Sequence, residues 1–347
     1  KSMIGSFKSI LLEGSVIGLF GFTKCPTQKA GTQESHAVPT PPHAVTPTTT
    51  PTRSNREIFA PVAERLLARG VDSMFVAGLL NDPHIVFDES FGKINVTGYL
   101  KKADYSHNYN AYSISQNKEF LGKYDSLLTA CEAVTGIPKE VVVSVMWVET
   151  KHGKYLGKYN VASAYLSLAL ADQPDNIEKN KKALRTDHPE FSDKELAELD
   201  DKIQARAKKK ASWALDQIVA LEEMQALSPV PVFELYGSWA GAFGLSQFLP
   251  SSYLQWAKDG NNDGKINLFE FPDAVYSIAN YLKVNGWGNN EKAQRKAVYH
   301  YNNSNDYVDA VLTLAGKIAD TKPEDNAPKG GKSTKIFSPS PAPAPGH

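Results

Sequence analysis

Glu149 closes the run VVVSVMWVETKHG (141–153), and its setting raises a chemical question. On a helix, Val142, Val145 and Met146 share its face, so the carboxyl emerges among apolar neighbours. A carboxylate there is costly when ionised, and its pKa should rise. The residues alone leave two readings open. One is a last helical turn reaching solvent, with Gly153 as C-cap. The other is a carboxylic acid kept protonated near neutral pH so that it can donate a proton.

DGNNDGKINLFE (259–270) matches the calcium-loop pattern D-x-[DN]-x-[DN]-G-x5-E in full. Asp259, Asn261 and Asp263 offer side-chain oxygens, Lys265 its backbone carbonyl, and Glu270 both carboxylate oxygens, while Gly264 permits the turn. A lone loop of this kind suits a structural Ca2+ rather than a sensor. YGSWAGAFGLSQFLPSSY (236–253) crowds glycines and small residues together, as close backbone approach requires. It has neither the spacing of a serine-hydrolase elbow nor the G-K-[ST] of a phosphate loop. Polar Ser238, Gln247 and Ser251 interrupt its apolar residues. Tyr281, Tyr301 and Asn302, in IANYLKVNGW and AVYHYNNSNDY, combine phenol and amide groups with aromatic faces, which is what a sugar site uses. Glu149 and His152 also form E-x-x-H, but no second such motif accompanies them, which argues against a di-iron site.

The elements that must position these groups read as mostly helical. IFAPVAERLLARG (58–70) and KEFLGKYDSLLTACEAVTG (118–136) have helical periodicity and end on glycine. Pro138 suits the first turn of the helix carrying Glu149. INVTGYL and NYNAYSI read as extended pieces. Residues 172–210 are dominated by charge, with a capping box at Ser192 and Glu195, and read as an exposed helical excursion rather than core. Lys208, Lys209 and Lys210 read as a solvated helix face. Lys plus Arg (38) equals Asp plus Glu (38), so no overall field draws the chain to nucleic acid. The two cysteines exclude a disulfide-dense scaffold and a cysteine zinc site, and Cys131 reads as a buried small hydrophobe.

The termini differ in composition. Lys1 and Lys8 precede an apolar stretch from Ile10 to Phe22, the size of a signal h-region, and Cys25 follows it. The expectation is a signal or lipoprotein-like segment over 1–25 with Cys25 as lipidation site, although Lys24 stands where a small residue is preferred. A Pro/Thr-rich linker (26–56), a folded body (57–320) and a Pro-rich tail (321–347) complete the organisation.

VETKHG, GSWAGAFGLSQFLPSSY, DGNNDGKINLFEFPDAV, IANYLKVNGW and YNNS, in this order, resemble the membrane-bound lytic murein transglycosylase B family, bacterial enzymes that cut peptidoglycan. The resemblance spans about 141–304 and extends more weakly back to 57. It implies an α+β, mainly α, lysozyme-like fold with a peptidoglycan-binding cleft and an EF-hand-like calcium loop. Glu149 falls on the family's sole catalytic carboxyl, and Ser238, Gln247, Tyr281, Tyr301 and Asn302 on cleft positions. It implies cleavage between N-acetylmuramic acid and N-acetylglucosamine with closure of a 1,6-anhydro ring. It also implies glycan strands as partners, room for other cell-wall enzymes beside them, a structural Ca2+, no organic cofactor, and a periplasmic location in a Gram-negative bacterium, with an outer-membrane anchor at Cys25. The excursion at 172–210 is longer than the family's usual connection. A hydrolytic muramidase and a non-catalytic peptidoglycan-binding lipoprotein are the rival readings.

Overall fold

A computed structural model describes residues 54–97 and 104–320. The signal-like segment with Cys25, nearly all of the Pro/Thr-rich linker and the Pro-rich tail lie outside the described residues. Helix α1 (Asn55–Ile58) begins inside the expected linker, because Ser54 and Glu57 form a reciprocal capping box. Then come α2 (Ala60–Ala68), α3 (Ser73–Asn81), capped by the Asp72 carboxylate, and α4 (Ser90–Thr97). Ile94–Thr97 of the expected extended piece INVTGYL is therefore helical, and the remainder lies outside the described residues.

The second expected extended piece, NYNAYSI, is helical as well. A short 3-10 helix, Ser106–Tyr109, runs into α5 (Ala111–Lys123), whose N-cap Asn110 accepts from Ser113 N–H. An asparagine cap starts a helix where the alternating polar and aromatic residues suggest a strand. The expected single helix over 118–136 is two, α5 and α6 (Asp125–Thr135), broken at Tyr124. The break places the Phe120 and Tyr124 rings 5.2 and 4.8 Å from that of Phe271. Gly136 terminates α6 in the left-handed region, as expected.

Helix α7 (Lys139–Thr150) has every residue from Val141 to Thr150 buried. It does not end on Gly153. Lys151 is the C-cap, at φ 52°, and His152 (φ 55°) and Gly153 (φ 89°) continue the left-handed path. The chain then enters β1 (Tyr159–Asn160), α8 (Val161–Leu168), α9 (Pro174–Asp187) and the 32-residue α10 (Asp193–Met224). The capping box at Ser192 and Glu195 forms as expected. The excursion is not wholly exposed, though: Ile177, Leu184, Ile203 and Ala207 are buried in the larger core. Lys210 corrects the solvated-face reading. It lies on the buried alanine stripe of α10 with its ammonium 4.7 Å from the Trp213 ring centroid, and burial pushes its pKa down to about 7.

After a second 3-10 turn (Val232–Glu234), β2 (Tyr236–Gly237) pairs antiparallel with β1, Tyr159 opposite Gly237. Bridges from Gly237 to Phe243 and from Phe243 to Phe248 extend this ribbon. Helices α11 (Pro250–Trp256), α12 (Phe271–Val284), α13 (Glu291–Tyr301) and α14 (Asn305–Ala319) complete the body. One core gathers α1–α4 and α8–α11. The other gathers α5–α7 and α12–α14, with Cys131 buried in it as expected. The two meet at the ribbon, where Phe243 and Phe248 belong to the first core and Leu245 to the second. No described helix is long and apolar enough to cross a membrane.

Candidate active site

Glu149 is 5% exposed, the penultimate residue of α7, and α14 packs against that helix. The Tyr307 hydroxyl donates to Glu149 Oε1 at 2.6 Å. Burial drives the carboxyl pKa up to about 7, against the hydrogen bond from Tyr307 and the positive charge of Lys151. The carboxylic acid is thus half protonated near neutral pH, which supports the second of the two readings of this glutamate. A rise from 4.5 to about 7 corresponds to roughly 3 kcal/mol against the ionised form.

Aromatic rings surround it. Tyr307 stacks on Tyr301 with centroids 6.4 Å apart, and Tyr301 meets Tyr281 edge-on at 4.7 Å. Tyr105, beside α5, meets Tyr307 edge-on at 5.7 Å, and its hydroxyl is hydrogen-bonded to the Asn302 side chain. The Tyr301 hydroxyl donates to Ser246 C=O at 2.6 Å and the Tyr281 hydroxyl to His300 C=O at 2.7 Å. Tyr281, Tyr301 and Asn302 therefore share one polar–aromatic cluster with Glu149.

Ser238 and Gln247 sit on the ribbon. Ser238 Oγ accepts from Ala242 N–H at 3.2 Å. Gln247 adopts φ 49° and donates through Nε2 to Leu156 C=O at 3.3 Å and Gly244 C=O at 3.0 Å. Its Oε1 is buried with no partner. Neither side chain hydrogen-bonds Glu149; that position belongs to Tyr307. His152 is no metal ligand here. Its Nε2 lies 3.3 Å from Val143 C=O, its ring stacks on Phe120, and burial lowers its pKa to about 3, so it stays neutral.

The 259–270 loop folds on itself. Asp259 accepts from Asp263 and Gly264 N–H groups, and Asn262 (φ 61°) and Gly264 (φ 84°) make the turn. Asn261 Nδ2 lies 3.1 Å from Asp263 Oδ2 and 3.5 Å from Glu270 Oε2, so the side chains at loop positions three, five and twelve converge. Among the described residues no three His, Cys, Asp or Glu side chains are grouped for a metal. The loop's oxygen set depends on the Asn261 carboxamide and Lys265 carbonyl besides its carboxylates. Oxygen donors of this kind are what a hard cation takes, but here the Asn261 N–H faces both carboxylates, so its carboxamide would have to turn its oxygen inward to serve as a ligand. Buried Asp273, in the first turn of α12, accepts from Gly260 N–H at 2.8 Å and Asn267 N–H at 2.5 Å, clamping the loop from below.

Residues 56–298, most of the chain, match the transglycosylase SLT domain family. The chain belongs to this family. Among relatives of the SLT domain, membrane-bound lytic murein transglycosylase B of Escherichia coli is 31% identical over 168 residues, 48% of this chain and 37% of the relative. The match thus spans little more than a third of that protein's length. SltB3 of Pseudomonas aeruginosa, solved with NAG-anhNAM-pentapeptide, superposes with a TM-score of 0.57 at 19% identity, covering 78% of this chain and 80% of its own. Escherichia coli Slt35, solved in complex with calcium, does so at 0.55 and 20% identity, covering 76% and 92%. The SLT domain here therefore has the mainly helical fold of the lytic transglycosylases.

Sequence reasoning missed Tyr307, Tyr105, Lys151 and Asp273, of which Tyr307 lies beyond the residues that match the SLT domain. Tyr307 ends the quoted stretch AVYHYNNSNDY, but only the fold shows that α14 carries it to Glu149, 158 positions away. Asp273 was legible: an acid just after a proline at a helix start, three residues past the loop, is placed to accept backbone N–H groups.

Proposed function

We propose that this protein is a lytic transglycosylase that cleaves the β-1,4 bond between N-acetylmuramic acid and N-acetylglucosamine in peptidoglycan. The observation that carries this reading is the Glu149 carboxyl, 5% exposed and hydrogen-bonded by Tyr307, whose pKa burial raises to about 7 so that both protonation states are populated near neutral pH. Among the described residues the only other buried carboxylate is Asp273, and both its oxygens are committed to the loop. That inventory fits a mechanism with one carboxyl rather than the pair that ordinary glycosidases use.

Protonated Glu149 donates its proton to the glycosidic oxygen as the C1–O bond breaks, and the 2-acetamido oxygen stabilises the positive charge developing at C1. The Glu149 carboxylate then takes the proton of the C6 hydroxyl while O6 bonds to C1. The products are a 1,6-anhydro-N-acetylmuramic acid end and a free N-acetylglucosamine 4-hydroxyl, with no water consumed. Attack from within the same sugar has an effective molarity that outcompetes water. Tyr307 orients the carboxyl. Asn302 and Gln247, whose Oε1 lacks a protein partner, bind sugar amide and hydroxyl groups; Ser238 shapes the ribbon beside them, and Tyr281 and Tyr301 form the aromatic wall of the cleft.

In the 259–270 loop, Asp259, Asn261, Asp263, the Lys265 carbonyl and Glu270 would hold a structural Ca2+, which would pin the segment between α11 and α12. Slt35, solved in complex with calcium, supports that assignment. The proposed setting is the periplasm, with an outer-membrane lipid anchor at Cys25, peptidoglycan strands as substrate, and other cell-wall enzymes as neighbours. SltB3, solved with NAG-anhNAM-pentapeptide, supports the substrate.

The test is mass spectrometry of the soluble products after the full chain meets bacterial sacculi, with Glu149→Gln in parallel. Muropeptides lighter by one water than hydrolysis products, absent with the variant, are expected. Hydrated products would make the protein a muramidase instead, and binding without products from either protein would make it a binding lipoprotein.

A further inference from the structure

A cavity of about 430 Å3 lies between α4, α8 and α9 and is lined by residues of all three. That is the size of an ordinary small-ligand site. These helices belong to the first core, whereas α7 and α14, which carry Glu149 and Tyr307, belong to the second. The charged excursion builds one wall, since Asn176, Lys179 and Asn180 are residues of α9.

The polar lining is incompletely hydrogen-bonded. Asn180 is 5% exposed; its Nδ2 donates to Asn176 C=O at 3.0 Å, and its Oδ1 takes no hydrogen bond from the protein. Asn176, one turn earlier, repeats the pattern, with Nδ2 donating to Leu170 C=O at 2.8 Å and Oδ1 unmatched. Buried Ser167, on α8, accepts from Asp88 N–H at 3.1 Å, and its hydroxyl proton has no protein acceptor. A buried polar group left unmatched costs about 1–3 kcal/mol. The fold therefore keeps acceptors and a donor on one surface that only a ligand or solvent satisfies.

The charges of the lining are mostly spent on one another. Lys179 pairs with Glu89 at 2.7 Å and Lys93 with Asp187 at 3.0 Å, so no lysine is left over for an anion. Asp88 gives one carboxylate oxygen to Ser90 N–H at 2.8 Å. Phe87, set edge-on against Phe59, supplies an apolar wall. Buried Gly92 also lines the cavity, and a Cβ there would meet nothing within 4 Å.

We propose that this cavity is a second saccharide site, outside the catalytic cleft, that takes a short sugar segment by its hydroxyl and amide groups. A hydroxyl answers both kinds of unmatched group. Its proton goes to Asn176 Oδ1, Asn180 Oδ1 or the Asp88 carboxylate, and its oxygen accepts from Ser167. The C–H face of a sugar ring packs against Phe87. An inorganic anion would find no free cation here, and it brings acceptors where the wall already has them. That the sugars belong to a cell-wall glycan rests on the lytic reading above; the saccharide chemistry of the cavity does not.

The experiment titrates N-acetylglucosamine into the full chain and follows the side-chain amide signals of Asn176, Asn180 and Asn302 by nuclear magnetic resonance. Saturable shifts of Asn176 and Asn180 are expected. Gly92→Met, whose added side chain enters the cavity, should abolish the response of both and leave that of Asn302, in the cleft, as it was. Asn180→Leu keeps the bulk and removes the unmatched oxygen. It should abolish the Asn176 response, and it decides the matter if the methionine variant does not fold. No shift at Asn176 and Asn180 in the parent would overturn the proposal and leave solvent as their partner. A response to lysine amide but not to the sugar would overturn it in favour of a cation site at Asp88. Shifts at Asn176 and Asn180 in a protein that makes no anhydro products would preserve the saccharide site and remove the lytic reading.

Discussion

Tyr307 and Glu149, 158 positions apart, are joined by a 2.6 Å hydrogen bond in which the phenol donates to the carboxyl. The bond forms because α14 packs along α7, and it is the only hydrogen bond to the Glu149 side chain among the described residues. It favours the ionised carboxyl, so it opposes burial and keeps the pKa near 7 rather than higher. Tyr307→Phe removes the donor while keeping the ring stacked on Tyr301. The expected outcome is a fall in turnover of about tenfold, equivalent to ~1.4 kcal/mol. The alkaline limb of the pH–rate profile should move upward, since the acid then stays protonated to higher pH. Unchanged turnover and an unmoved limb would remove Tyr307 from the site.

Glu149 itself should cost stability in return for function. Its folded pKa of about 7 exceeds the ordinary 4.5, so the folded state holds the proton more tightly than the unfolded chain does. Stability therefore falls as pH rises from about 4.5 to 7 and stays reduced above that window. Glu149→Gln lacks this dependence. It should be inactive, yet at pH 8 more stable than the parent by up to about 3 kcal/mol, with the difference vanishing at pH 4. Urea unfolding of both proteins at the two pH values checks it. A variant less stable than its parent at pH 8 would mean that the carboxylate is well compensated.

How much of this was legible in the sequence depends on how far apart the interacting residues lie. Glu149 in its apolar run and the capping box at Ser192 are local patterns, and each forms where the pattern places it. NYNAYSI was misread because one cap, Asn110, outweighs six residues of alternation. Lys210 was misread because a charge run says nothing about which helix face meets α8 and α11. Tyr307 could not be found locally at all, since only the packing of α14 on α7 brings it to the carboxyl. One of the two readings of Glu149 closed α7 with Gly153, but the chain turns two residues earlier at Lys151, where capping N–H groups reach Met146 and Trp147 C=O.

Gly157 offers a test of the path from α7 to the ribbon. It has φ +91°, and a Cβ there would lie 2.0 Å from Gly237 C=O and 2.5 Å from Ser238 N. No side-chain adjustment relieves a clash with backbone. Gly157→Ala should separate β1 from β2, displace the Leu156 carbonyl that Gln247 binds, and destabilise the protein by about 2–4 kcal/mol. Turnover should fall along with stability. Gly122→Ala, where a Cβ meets nothing within 4 Å inside α5, is the control and should be neutral or slightly stabilising.

The calcium assignment makes a prediction that does not depend on turnover. A cation bound only by the folded chain raises stability by about 2.7 kcal/mol at a hundredfold excess over its Kd, or ~5 °C or more in Tm for a domain of this size. The full chain should therefore melt higher in calcium than in chelator. Glu270→Gln, which loses a carboxylate but keeps an acceptor for Asn267, should melt as the parent does in chelator and respond weakly to calcium. Asp273→Asn should behave differently, because Asp273 holds Gly260 and Asn267 whether or not a cation is present. It is expected to lower Tm in both conditions while leaving a calcium response. Equal melting of the parent in calcium and chelator would mean that the loop binds no calcium and is held by its own hydrogen bonds, those of the Asn261 amide included, and by Asp273.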